Sequence, residues 1–167
     1  VVCDVSGSVG AYARFMLMFL FSLTEVVSKI RAFVFSSYLG EVTNEFKGSN
    51  LETAIESALS KYGGGSTDYG HSFSDFMSLC LDDIDKKTTV VILGDARNNF
   101  GPDKAFLLKT VYERSKQVYW LNPEGKYRWN TGDSVMNTYS AYCTKVFECG
   151  TLEQLEKVIS TLLKTAI

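Results

Sequence analysis

The chain is poor in histidine, proline and tryptophan, with one His, two Pro and two Trp in 167 residues. A single imidazole beside four cysteines at 3, 80, 143 and 149, with no C-x-x-C, excludes zinc-finger, zincin and iron–sulfur arrangements. Two prolines and thirteen glycines exclude collagen-like and proline-rich chains. Basic charge is not in excess. A formal net charge of −2 and a pI near 5.5 leave no footprint for a nucleic-acid backbone as the main partner. The longest unbroken apolar run, Phe15 to Phe21, falls far short of the ~20 residues of a membrane span and reads as core. What is present, 46% apolar and 22% charged residues, fills the core of one globular domain. The chain opens on Val1-Val2-Cys3-Asp4-Val5 without an initiator Met, so the expectation is one domain excised from a longer protein.

The cysteines carry a further expectation. Cys143 and Cys149 flank a strand-like segment, Thr144 to Glu148, that would separate them by ~20 Å, against the ~4.4–6.8 Å between the Cα atoms of a disulfide. All four read as reduced thiols of a cytoplasmic protein.

Short β-branched runs alternate with longer helical stretches, without an internal repeat. Strands are expected at Val1–Val5, Arg31–Phe35, Gly40–Thr43, Thr88–Leu93, Gln117–Leu121 and Cys143–Glu148. The third could turn back along the sheet edge. Helices are expected over 11–28, from a Ser49-x-x-Glu52 capping box to Lys61, and over Tyr69–Leu81. Another should open with Pro102 in its first turn and run to Arg114. The last follows a Thr151-x-x-Gln154 box, with Leu152, Leu155, Val158, Ile159, Leu162 and Leu163 on one face. Such alternation predicts an α/β fold, doubly wound, with a mostly parallel sheet and helices on both faces.

In such a sheet, ligands bind beyond the carboxyl ends of the strands, where the strand order reverses. Three loops at that end carry oxygen side chains. The first holds Asp4, Ser6 and Ser8. The second holds Thr67 and Asp68 after Gly63-Gly64-Gly65, and the third holds Asp95 and Arg97. Two carboxylates and three hydroxyls, with no sulfur or imidazole, suit a hard divalent cation such as Mg²⁺, Mn²⁺ or Ca²⁺. Taken alone, D-x-S-x-S is short, and Ser or Asp at a strand-to-helix junction commonly does no more than cap the helix.

Asp4-Val5-Ser6-Gly7-Ser8, Gly65-Ser66-Thr67-Asp68-Tyr69-Gly70 and Val91-Ile92-Leu93-Gly94-Asp95 resemble, in type, order and spacing, the von Willebrand factor A (VWA) domain with its metal-ion-dependent adhesion site. Gly94-Asp95-Ala96-Arg97-Asn98-Asn99, Leu121-Asn122-Pro123-Glu124 and Trp129 leading into Gly132-Asp133-Ser134-Val135-Met136 resemble its CoxE-like bacterial branch. The resemblance implies a six-stranded sheet ordered 3-2-1-4-5-6 with one short antiparallel edge strand. It also implies divalent-cation-dependent protein binding, with Mg²⁺ foremost. Ser6, Ser8 and Thr67 would be ligands, and Asp4 and Asp95 would bind directly or through water. Ser66, next to Thr67, stays open as the alternative ligand. A MoxR-type AAA+ ATPase is the implied partner, in the maturation of metalloenzymes.

Other residues bound the reading. His71 reads as solvent-facing or capping. Neither Gly-x-Ser-x-Gly nor a phosphate-binding loop is present. Arg97 could orient Asp95 or contact a partner. The loop Asn122–Asp133 should lie near the metal, with Glu124, Tyr127, Arg128 and Trp129 in reach of a partner, although Trp129 could instead anchor the loop on the domain. A non-enzymatic, metal-dependent interaction module is the expectation. A metal-assisted hydrolase or phosphotransferase and an extracellular adhesion domain are the alternatives.

Overall fold

Side chains on a strand alternate between its two faces, so a sheet covered on both sides needs apolar residues at nearly every position. In the computed structural model, which describes residues 1–166 with side chains except at 163, 165 and 166, the four inner strands meet that requirement, while the two edge strands carry Gly40, Glu41, Lys145 and Glu148. They are β1 (Val2–Asp4), β2 (Phe33–Phe35), β3 (Leu39–Glu41), β4 (Thr89–Leu93), β5 (Gln117–Asn122) and β6 (Lys145–Glu148). Cys3, Val34, Val91, Leu93, Tyr119 and Leu121 feed one core, while Val2, Phe33, Phe35, Val90, Ile92, Val118 and Trp120 feed the other. The first core is closed by α1 (Gly10–Val26), α3 (Leu51–Tyr62) and α7 (Leu152–Ala166), and the second by α4 (Tyr69–Cys80) and α5 (Ala105–Arg114).

The sheet order is β3-β2-β1-β4-β5-β6. Every neighbouring pair is parallel except β2 with β3, which returns antiparallel along the edge. The expected architecture is therefore present. The order reverses between β1 and β4, so the loops leaving these two central strands part there and open a crevice.

Several boundaries differ from the sequence expectation for tertiary reasons. Asn50, not Ser49, caps α3, its side chain accepting the Thr53 N–H at 2.9 Å. A short helix, α2 (Thr43–Lys47), replaces the end of the expected third strand. Pro102 lies outside α5, which starts at Ala105 after a left-handed Lys104 with φ 47°. The Pro102 carbonyl instead packs on Gly70, where an added Cβ would stand 2.1 Å from it. Cys143 precedes β6 and donates to the Tyr139 carbonyl at the end of α6 (Met136–Ser140). On α7, Leu155 and Val158 are buried and Ile159 and Leu162 partly so, whereas Leu152 is exposed and the side chain of Leu163 lies outside the described set.

Gly7–Val26 is the one described helix long and apolar enough to cross a membrane, by length and composition alone. Its Ala13, Met16, Leu17, Phe19 and Leu20 are buried in the first core and Phe15 and Phe21 pack against it, so Phe15–Phe21 serves as core apart from the exposed Met18.

Candidate metal centre

The crevice between β1 and β4 is assembled by two backbone bonds. Gly7 N–H donates to Gly65 O at 3.1 Å and Gly64 N–H to Val5 O at 3.1 Å, which lays the glycine loop against the turn after β1. Gly64 reaches this path with φ 73°, in the left-handed region that glycine enters without steric cost. The join brings three hydroxyls into a triangle. Thr67 Oγ1 and Ser6 Oγ are 2.6 Å apart, Ser6 and Ser8 3.1 Å, and Ser8 and Thr67 3.2 Å. Ser6 and Thr67 are buried and Ser8 is exposed, so the triangle has one open side. Ser66 points elsewhere: its hydroxyl accepts from Asn99 Nδ2 at 2.9 Å. Thr67, not Ser66, is therefore the hydroxyl that joins the triangle.

Asp4 and Asp95 stand behind the triangle, both almost completely buried. Asp4 Oδ1 accepts the Ser6 N–H and Oδ2 accepts the Tyr69 hydroxyl, each at 2.8 Å. Asp95 Oδ1 accepts the Arg97 N–H at 2.9 Å, but its buried Oδ2 has no hydrogen-bond partner. Burial pushes the Asp4 carboxyl well above the usual range, and repulsion from Asp95 adds to it against the Ser6 and Tyr69 hydrogen bonds. Burial likewise raises Asp95, opposed by the Arg97 N–H and the Ser8 hydroxyl.

Tyr69 is the organising residue that sequence reasoning missed. It is fully buried, and its hydroxyl donates to Asp4 while accepting the Ala96 N–H at 3.2 Å, thereby joining the first and third loops. Gly94 makes this contact possible, since a Cβ there would lie 2.0 Å from the Tyr69 oxygen. Asn98 was missed too: its Oδ1 accepts the Tyr69 N–H at 2.8 Å and its Nδ2 donates to Gly101 O at 2.8 Å. Both stand inside the sequence motifs, Tyr69 in Gly65–Gly70 and Asn98 in Gly94–Asn99, but nothing in the spacing gave either a role. Asp68 caps α4 by accepting the His71 N–H, and the His71 ring is exposed, 3.4 Å from Asp75, as expected for a solvent-facing residue.

These residues fit a hard divalent ion. The donors are all oxygen, one buried carboxylate oxygen is left without a partner, and the hydroxyl triangle is open at Ser8. Among the described residues, no three His, Cys, Asp or Glu side chains cluster to hold a metal, so any site here depends on the hydroxyls. All four cysteines are unpaired.

The profile of the family described as "VWA domain containing CoxE-like protein" matches residues 1–158. The chain belongs to this CoxE-like VWA family. Solved structures with a similar fold include a von Willebrand factor type A protein from Catenulispora acidiphila, at 10% identity and TM-score 0.64 over 99% of this chain and 41% of that one. Another is the conserved hypothetical protein BatB from Bacteroides thetaiotaomicron, at 15% identity and TM-score 0.66 over 99% of this chain and 96% of that one. Proximal thread matrix protein 1 from the mussel byssus gives 17% identity and TM-score 0.64, over 99% of this chain and 44% of that one. The chain thus spans less than half of two of these three relatives. At such identities the likeness concerns the fold alone. No curated protein matches the chain significantly.

In this VWA domain the loop after β5 is strapped to the centre. Asn122 Nδ2 donates to Asp95 O at 3.2 Å, and Val135 N–H donates to Ala96 O at 2.8 Å. Arg97, read as orienting Asp95 or contacting a partner, and Glu124, placed in reach of a partner, face each other in a two-pronged ion pair at 3.1 and 2.9 Å, with Arg97 also 3.1 Å from Asp133. Trp129 is half-buried, packed beside the second core, and its Nε1 donates to the Glu124 carbonyl at 3.0 Å. It therefore anchors the loop, and the exposed members are Lys126, Tyr127, Arg128, Asn130, Thr131 and Gly132.

Proposed function

We propose that this VWA domain is a divalent-cation-dependent protein-binding module and not an enzyme. Ser6, Ser8 and Thr67, with Asp4 and Asp95, would hold the cation, Mg²⁺ foremost and Mn²⁺ or Ca²⁺ as alternatives. The observation that carries this reading is Asp95 Oδ2, buried and unpartnered beside the hydroxyl triangle. A cation bound there would supply one coordination position for a partner's Asp or Glu. The protein's own groups preorganise the site. Tyr69 and the Ser6 N–H fix Asp4, the Arg97 N–H fixes one oxygen of Asp95, and the two glycine-loop bonds fix Thr67.

A binding role is favoured over hydrolysis by the environment of His71, whose ring lies against Asp75 rather than the hydroxyl triangle. The four unpaired cysteines favour the cytoplasm over an extracellular adhesion role. Within this reading the partner is a MoxR-type AAA+ ATPase or its client in metalloenzyme maturation, and Tyr127, Arg128 and the Trp129 loop contribute selectivity beside the cation. Exposed aromatic and Arg side chains on scaffolded loops suit that task.

Mn²⁺ titration followed by electron paramagnetic resonance tests the centre. The wild type should bind one ion and Asp95→Ala none; equal binding by both would overturn the assignment. Co-purification of the full-length protein with Mg²⁺ or with EDTA tests the partner, which should be retained only with the cation.

A further inference from the structure

Arg97 Nε lies 4.0 Å from the unpartnered Asp95 Oδ2, near enough to attract it and too far to hydrogen-bond. A guanidinium so placed would be expected to close on a free buried carboxylate oxygen, because a charge-assisted bond at ~2.7–2.9 Å is stronger than attraction at a distance. It is drawn the other way. Nε and Nη2 bind the two oxygens of Glu124, and Nη1 binds Asp133 and the Thr131 carbonyl, both at 3.1 Å. Glu124 itself cannot follow Arg97 inward. Its N–H donates to Asn122 Oδ1 at 2.9 Å, its carbonyl accepts from Trp129, and Asn122 is fully buried.

We infer that Glu124 is a positioning residue that withholds Arg97 from Asp95, leaving Asp95 Oδ2 available to the cation. The inference rests on the proposed cation-binding role. Arg97 and a divalent ion compete for the same oxygen, and Glu124 decides that competition by holding the guanidinium two-pronged against the loop after β5. Arg128, 3.4 Å from Glu124, is exposed and leaves this pairing in place. An ion pair that merely fixed the loop would predict something different, since removal of either partner would then loosen the loop and neither removal would cure the other.

The test is Mn²⁺ affinity together with thermal unfolding for the wild type, Asp95→Ala, Glu124→Gln and the double variant Arg97→Gln/Glu124→Gln. Glu124→Gln should weaken Mn²⁺ binding about tenfold, and the double variant should return to within about threefold of wild type although its unfolding midpoint stays lowered. Should Glu124→Gln not fold, Arg97→Gln/Glu124→Gln is compared with Glu124→Asp, whose shorter side chain releases the guanidinium, and the same ordering is expected. An unchanged affinity in the single variant, or a double variant as weak as the single, overturns the inference while Asp95→Ala still lacks binding. A wild type that binds no Mn²⁺ overturns the proposed function and the inference with it.

Discussion

The two sides of the candidate centre are built on opposite principles. On the β1 side, three small hydroxyls touch one another at 2.6–3.2 Å, with an exposed Ser8 and no charge among them. On the β4 side, a buried carboxylate with one unpartnered oxygen is framed by ion pairs that reach the loop after β5. The first side depends on backbone bonds between two neighbouring loops. The second depends on side chains 27 or more residues apart, such as Arg97 with Glu124. Backbone bonds and hydroxyl contacts thus shape the neutral hydroxyl half, across a separation of 61 residues from Ser6 to Thr67, and charge pairing shapes the ionic half.

The strongest way to break this division is at the point where the halves join. Gly94→Ala would set a methyl 2.0 Å from the Tyr69 oxygen and 2.9 Å from Asp4 Cβ, both fully buried. It should cost about 3 kcal/mol or more in denaturant unfolding, because neither neighbour can retreat. An intact midpoint would mean that Tyr69 does not join the loops. Trp129→Ala should cost about 2 kcal/mol through lost packing and the lost Glu124 hydrogen bond, whereas Tyr127→Ala, at 84% exposure, should stay within about 0.5 kcal/mol of wild type. Equal losses in the two variants would remove the distinction between anchor and exposed face.

On the neutral side, Thr67→Val should weaken Mn²⁺ binding about tenfold, and Ser66→Ala by no more than about twofold, as one charged-group contact is lost in the first case only. The reverse ranking would show that the loop turns the other hydroxyl inward.

The smallest expected effect concerns pH. Folding raises the carboxyls of Asp4 and Asp95, so the fold prefers their protonated forms. The stability tied to them is fully present below the unfolded value of ~3.9 and is lost as pH rises towards neutrality. In EDTA, the unfolding midpoint of the wild type should therefore fall relative to Asp95→Asn as pH rises from ~4 to ~7. A constant difference would mean that the pair carries no shared charge penalty.

Much of this was legible in advance because it is local. The unbroken apolar run Val90–Leu93 requires a strand covered on both faces, and Asp4, Ser6 and Ser8 at a strand end need only the turn that follows. The start of α5 was not legible. Pro102 fits a first helical turn by its fixed φ, but Gly70 leaves space for its carbonyl against α4, and the left-handed Lys104 defers the helix to Ala105. Arg97 and Glu124 were recognisable as noteworthy but not as each other's partners, since neither spacing nor charge pattern pairs residues across two strands.

The sequence by itself determined the α/β alternation, the hydroxyl and carboxylate types, and their location at the carboxyl ends of the strands, because strand and turn preferences act over a few residues. Only the tertiary structure decided that Thr67 rather than Ser66 joins the triangle, that Tyr69 binds Asp4, and that one oxygen of Asp95 is left over. Each of these depends on which way a side chain points once distant loops have met. That direction is set by backbone bonds such as Gly7 to Gly65 and by the space Gly94 leaves open, and no short stretch of sequence contains both members of such a contact.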